Sequence, residues 1–282
     1  MTGIVIGTDG SPSAAAALRW AAREGRLRGL PVTALMAWGY LDQQGEFDPH
    51  YGETAVRERL AAAVEATLGA DAADAAGDVA QEVVCDLPAR ALLDASLGSD
   101  LVVVGARGLG GFRRLALGSV SDQVLHHATC PVAVVRPSAD ELENPERIVV
   151  GFDGSEGARA AFRWALDEAR ARQAPVRLVH AWQPAFVGGR FRSHGDSPAM
   201  EEVAEHTLQA AVADEGTEGV TVEPLAVCGS APEALLQEAA GATLVVVGSR
   251  GRGGFSGLLL GSVAQQLARH SETPLVVLPH RD

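Results

Sequence analysis

Short apolar runs rich in valine and isoleucine alternate along the chain with longer alanine-rich stretches whose apolar residues recur at helical spacing. That alternation predicts βαβ units built around a parallel sheet. In the first half it places strands at Gly3–Thr8, Val32–Ala37, Val79–Val84, Leu101–Gly105 and Val132–Val135. A second set follows at Arg147–Phe152, Val176–Ala181, Val220–Val227, Leu244–Gly248 and Leu275–Leu278. The run from Leu101 to Val104 has no polar face, which predicts a central strand covered by helices on both sides. Helix starts are marked too. Ser11 precedes Pro12 and Ser155 precedes Glu156, so each serine reads as an N-cap. No histidine follows either one in a triad-like context, so neither reads as a nucleophile.

The two sets are copies of one another. Ile4–Ser11 aligns with Ile148–Ser155 at six of eight positions, and Leu101–Val120 aligns with Leu244–Val263 at fifteen of twenty. Trp20 and Trp38 recur as Trp164 and Trp182, and Cys85 and Pro131 recur as Cys228 and Pro274. A duplication defines domains without any structural assumption. It predicts two tandem Rossmann-like α/β domains of five parallel strands each, over residues 1–140 and 145–282, with the boundary in the polar stretch Pro137–Arg147. The segments Gly39–Val56 and Gln183–Met200 differ most between the copies and read as lids, partner surfaces or tolerated loops.

Composition narrows the function. The chain has 282 residues, enough for two domains with their own cores, and 47% of them are apolar. No apolar run approaches the ~18 residues of a membrane span, so no membrane insertion is expected. The start, Met1–Gly7, enters an apolar run without a basic region or cleavage site, and the expectation is cytoplasmic residence. Cys85, Cys130 and Cys228 show no C-x-x-C spacing and read as small buried hydrophobes. A net charge of −13 argues against nucleic acid as a partner. All 23 basic residues are arginine. Without lysine there is no Gly-x4-Gly-Lys-Ser/Thr cradle and no strand lysine for a kinase. Nor does Gly-x-Gly-x-x-Gly follow the first strand of either half, which sets a dinucleotide dehydrogenase aside.

The chemistry concentrates after the fourth strand of each copy. Gly105, Gly108, Gly118 and Ser119 recur at identical spacing as Gly248, Gly251, Gly261 and Ser262. Glycines allow close backbone approach to a phosphate, and a helix beginning at the serine adds unpaired amides and the positive end of its dipole. These loops carry Arg107, Arg113 and Arg114 in one copy and Arg250 and Arg252 in the other, with no acid in either. A solvated loop with incidental arginines is the plain alternative, and the twofold spacing favours phosphate. Gly110 and Gly111, with Gly253 and Gly254 in the second copy, belong to the same loops. The first strand ends at Gly7 and Asp9, or Gly151 and Asp153, which face the same crevice of a doubly wound sheet. Either aspartate could hold a ribose hydroxyl, a magnesium-bound water or a base-side group, or serve only as a turn former. His126, His127 and His270 read as surface or interface residues. The tryptophans, recurring in register, read as core or domain-contact positions rather than a stacking platform.

These residues resemble the universal stress protein family, in its tandem ATP-binding branch. The motif carrying the resemblance, Gly-x2-Gly-x9-Gly-Ser, is met in full twice, and the resemblance covers nearly the whole chain. It implies sheet order 3-2-1-4-5, ATP with Mg2+ bound between strands one and four, and pairing of domains through the fifth strands, including in a homodimer. It implies that Asp9 and Asp153 meet ribose or metal and that Ala37 and Ala181 meet adenine. The glycine loops, with Ser119-Val120-Ser121 and Ser262-Val263, would hold the triphosphate. Ala264 stands where the first copy has Ser121, so the second site is expected to lose a hydroxyl contact. The implied activity is that of a nucleotide-dependent stress-response regulator acting on an unidentified protein partner. The alternatives are a slow ATPase, or an interaction protein whose pockets bind no ATP.

Overall fold

Valine-rich runs bury both faces only when helices cover the sheet on each side, and the structure, a computed structural model, builds the chain this way. It describes residues 2–39, 52–69, 79–109, 116–138, 147–183, 186–187, 190–191, 198–252 and 259–280. The chain divides into two compact units, residues 1–141 and 142–280.

In the first unit the order is β1 (Ile4–Gly7), α1 (Pro12–Arg28), β2 (Val32–Ala37), α2 (Glu53–Leu68), β3 (Ala80–Val84), α3 (Pro88–Ser96), β4 (Leu101–Gly105), α4 (Ser119–His127) and β5 (Val132–Val135). The strands lie in the order β3-β2-β1-β4-β5 and all pair in parallel. Ile4 stands beside Val32 on one side and Leu101 on the other. Every residue of β4 and β5 is buried. α1 packs against α2, α3 packs against α4, and both pairs cover the sheet.

The second unit repeats the plan with β6 (Ile148–Gly151), α5 (Glu156–Arg172), β7 (Val176–Trp182), α6 (Pro198–Asp214), β10 (Val222–Cys228), α7 (Ala231–Ala239), β11 (Leu244–Gly248), α8 (Ser262–His270) and β12 (Leu275–Leu278). Its sheet runs β10-β7-β6-β11-β12, again parallel. A short antiparallel pair, β8 (Phe186–Val187) with β9 (Arg190–Phe191), adds to the five expected strands. It falls in the segment Gln183–Met200, where the copies differ most. No described helix is long and apolar enough to cross a membrane.

Both predicted caps form. The Ser11 hydroxyl accepts from the Ala14 amide and the Ser155 hydroxyl from the Ala158 amide, each at 3.2 Å. One expectation fails: only Cys130 is buried, Cys228 is half-buried and Cys85 is exposed. Cys85 lies just past the end of β3, an edge strand whose residues are half-buried or exposed. Burial pushes the Cys130 thiol up to about 11.

Candidate functional site

β1 and β4 are neighbours, and the loops leaving their carboxyl ends meet at Asp9. One Asp9 carboxylate oxygen accepts from the Ser11 amide at 2.9 Å, an Asx turn. The other accepts from the Leu109 amide at 2.7 Å and straps the glycine loop to the β1 turn. The second domain repeats the strap, Asp153 accepting from the Ser155 amide at 2.9 Å and from the Arg252 amide at 2.7 Å. A Cβ at Gly108 would fall on the Asp9 carboxylate, and one at Gly251 on that of Asp153. The strap therefore dictates glycine at both. At Gly105 and Gly248 the obstacle is a helix instead. A Cβ there would lie 2.7 Å from the carbonyl carbon of Ser13 or Gly157, so these two glycines seat β4 against α1 and β11 against α5.

The first turn of α1 holds the rest of the loop. The Ser11 hydroxyl donates to the Arg107 carbonyl and the Ser13 hydroxyl accepts from the Arg107 amide, each at 3.3 Å. The Gly118 amide donates to the Ala106 carbonyl at 2.8 Å, closing the loop at the start of α4. Gly118 is the N-cap of α4 and Gly261 that of α8, and among the described residues neither helix has a side-chain cap bond. First-turn amides have no partner within their own helix, so both starts suit an anion. The Ser121 hydroxyl donates to the Gly105 carbonyl at 2.7 Å, which makes it an internal brace. Ala264 thus removes a brace from the second loop.

The ten predicted first-domain positions within the described residues line one cavity of about 640 Å3: Gly7, Asp9, Ala37, Gly105, Arg107, Gly108, Gly118, Ser119, Val120 and Ser121. Gly110, Gly111 and Arg114, like Gly253 and Gly254, lie outside the described residues. The remaining wall is largely apolar and includes Met36, Val56 and Leu92. Trp38 is half-buried and lies on that wall, so this tryptophan is a cavity residue and not the core position expected of it. Sequence reasoning missed Arg59. It reaches from α2, lines the cavity, and donates to the Asp9 carbonyl at 2.9 Å. α2 lies outside the segments that repeat, so the duplication gave no signal there.

In the second domain Gly151 ends β6, Ala181 lies in β7 and Gly248 ends β11. Arg250 and Gly251 follow on the loop, and Ser262 and Val263 open α8. Two further side chains distinguish this crevice from the first. Phe152 replaces Thr8; it is buried and meets Phe162 edge-on, with 6.2 Å between ring centroids. His180 replaces Met36, and burial holds its imidazole below the ordinary value, with Asp153 pulling it up and Arg252 pressing it down. His180 Nδ1 and Trp182 Nε1 are buried without hydrogen-bond partners among the described residues. Among the described residues, no group of three or more His, Cys, Asp or Glu side chains is placed to hold a metal ion.

Doubly wound sheets in tandem, each with a glycine loop strapped to the turn after its first strand, define a duplicated Rossmann-like α/β protein. The chain belongs to the universal stress protein family, whose sequence profile matches residues 1–136 and again 145–279. A universal stress protein of Mycobacterium tuberculosis is 34% identical over 293 residues, covering 98% of this chain and 95% of the relative. One of Mycolicibacterium smegmatis is 34% identical over 297 residues, covering 99% and 97%. The crystal structure of a universal stress protein from Archaeoglobus fulgidus superposes with a TM-score of 0.69 at 22% identity, over 98% of each chain, and so shares the fold.

Proposed function

We propose that the protein is an ATP-binding stress-response regulator whose state is set by nucleotide occupancy. The observation that carries this reading is the convergence of ten predicted positions, from the ends of three strands and the start of α4, on a single cavity of about 640 Å3. That volume lies within the range of about 300–1,000 Å3 usual for small-molecule sites. The cavity wall has two chemistries: loop amides, a helix start and Arg107 to meet phosphates, and apolar residues around Trp38 to meet a base. ATP has both.

Mg2+ would arrive on the phosphates. Among the described residues the only acid on the cavity wall is Asp9, and both its carboxylate oxygens already accept backbone amides. The same commitment leaves Asp9 poorly placed as a general base, so occupancy, not turnover, is the proposed mode of action. Ligand that bridges the β1 turn and the glycine loop would order both and alter the surface offered to a protein partner. Self-association through the fifth strands belongs to the same proposal.

Chain stripped of small molecules should melt at a higher temperature with saturating ATP and magnesium, because a ligand binding only the folded state stabilises it. An unchanged melting temperature, with no nucleotide released on acid extraction of the freshly purified protein, would rule the reading out.

A further inference from the structure

The two domains place a guanidinium over the same turn from different elements. In the first, Arg59 of α2 donates to the Asp9 carbonyl at 2.9 Å and its Nε lies 3.9 Å from where a Gly10 Cβ would stand. In the second, Arg252 of the glycine loop donates to the Gly154 carbonyl at 3.3 Å and occupies the space a Gly154 Cβ would need. The buried residues of the two helices set their equivalence: Val56 and Leu60 correspond to Ala204 and Leu208. By that register Arg59 corresponds to Thr207, whose Cγ2 lies 3.4 Å from the Gly154 Cβ position. The loop register pairs Arg252 with Leu109. Between the copies arginine has therefore moved from the helix site to the loop site, with Arg59 and Leu109 in one and Thr207 and Arg252 in the other, and a cation stays at the turn.

A turn carbonyl at a crevice mouth is satisfied by water and does not call for a guanidinium. An arginine donating to a neutral carbonyl holds a weaker bond than it would make to a phosphate, which its planar fork can grip with two donors. Arg59 also lines the cavity itself. We propose that Arg59 in the first crevice and Arg252 in the second are the cations that grip the anionic part of the ligand, exchanging a turn carbonyl for a phosphate oxygen on binding. This rests on the nucleotide reading above and adds a residue to each site. One consequence follows from where the two arginines are anchored. Phosphate in the first crevice pulls on α2, whereas phosphate in the second pulls only on the loop that already surrounds it.

The test is titration calorimetry of the full chain with ATP and, separately, with adenosine. Both side chains are exposed, so Arg59→Thr, Arg252→Thr and the double variant should fold. Each single variant should show one site unchanged and one weakened for ATP by about tenfold or more, as loss of a charge-assisted bond implies. The double variant should weaken both, with adenosine affinity unaltered throughout. Adding Leu109→Arg to Arg59→Thr should restore most of the ATP affinity, because it recreates in the first domain the arrangement of the second. Parallel losses for ATP and adenosine, unaltered ATP affinity in the double variant, or no rescue by Leu109→Arg would each overturn the assignment and leave the nucleotide reading standing. An unmodified chain without affinity for ATP would remove both.

Discussion

Asp9 and Asp153 illustrate how a residue type recognised as ligand-facing can work through the backbone instead. Each carboxylate joins two loops by accepting one amide from either side, and its presence forces glycine at 108 or 251. Two substitutions separate this brace from the binding surface. Gly108→Ala drives a methyl group into the carboxylate, so it should lower both stability, by about 1–3 kcal/mol, and ATP affinity. At Gly118 an added Cβ would meet the Ala106 carbonyl at 3.5 Å, an ordinary contact, and the backbone φ of −76° suits any residue. Gly118→Ala should therefore stay within about 1 kcal/mol of the parent in denaturant melts, a cap effect only, while ATP binding weakens. Equal loss of stability in the two variants would contradict this division of roles.

At the scale of elements, the start of α1 is tied to the glycine loop. Ser11 caps α1 and also donates to the Arg107 carbonyl, so one hydroxyl serves a helix and a loop. Ser155 caps α5. A lost cap costs about 1 kcal/mol. Ser11→Ala should show a larger cost than that, with faster amide exchange in the loop around Arg107. A loss no larger than that of a cap, with loop exchange unchanged, would mean the Ser11 link to Arg107 carries no energy. The exchange of arginine between helix and loop belongs to this scale as well. It shows elements of different origin supplying one charge to one turn.

For the whole molecule the governing quantity is the net charge of −13. ATP approaching the protein meets long-range repulsion before it meets loop amides and arginines at contact distance. Salt screens the long-range field more than the short-range contacts, the Debye length shrinking from about 30 Å at 0.01 M to about 8 Å at 0.15 M. The association rate of ATP in stopped-flow measurements should therefore rise with ionic strength over that range. A steep fall would show that the crevice's local positive field outweighs the global charge.

Hydrophobic periodicity and internal repetition were sufficient, by themselves, to determine the fold class, the tandem arrangement and nearly every strand, because these depend on patterns local in the chain. Strand ends agreed to within a residue or two, and the duplicated glycine spacing singled out positions that the fold gathers into one cavity. Pairings between distant residues were decided only by tertiary structure. The strap from Asp9 to Leu109, the brace from Ser121 to Gly105 and the reach of Arg59 across to the β1 turn join segments separated by 100, 16 and 50 residues. Side-chain type carries no record of such partners. Even Gly105 and Gly108 owe their identity to a helix and a carboxylate that lie beside them only once the chain has folded.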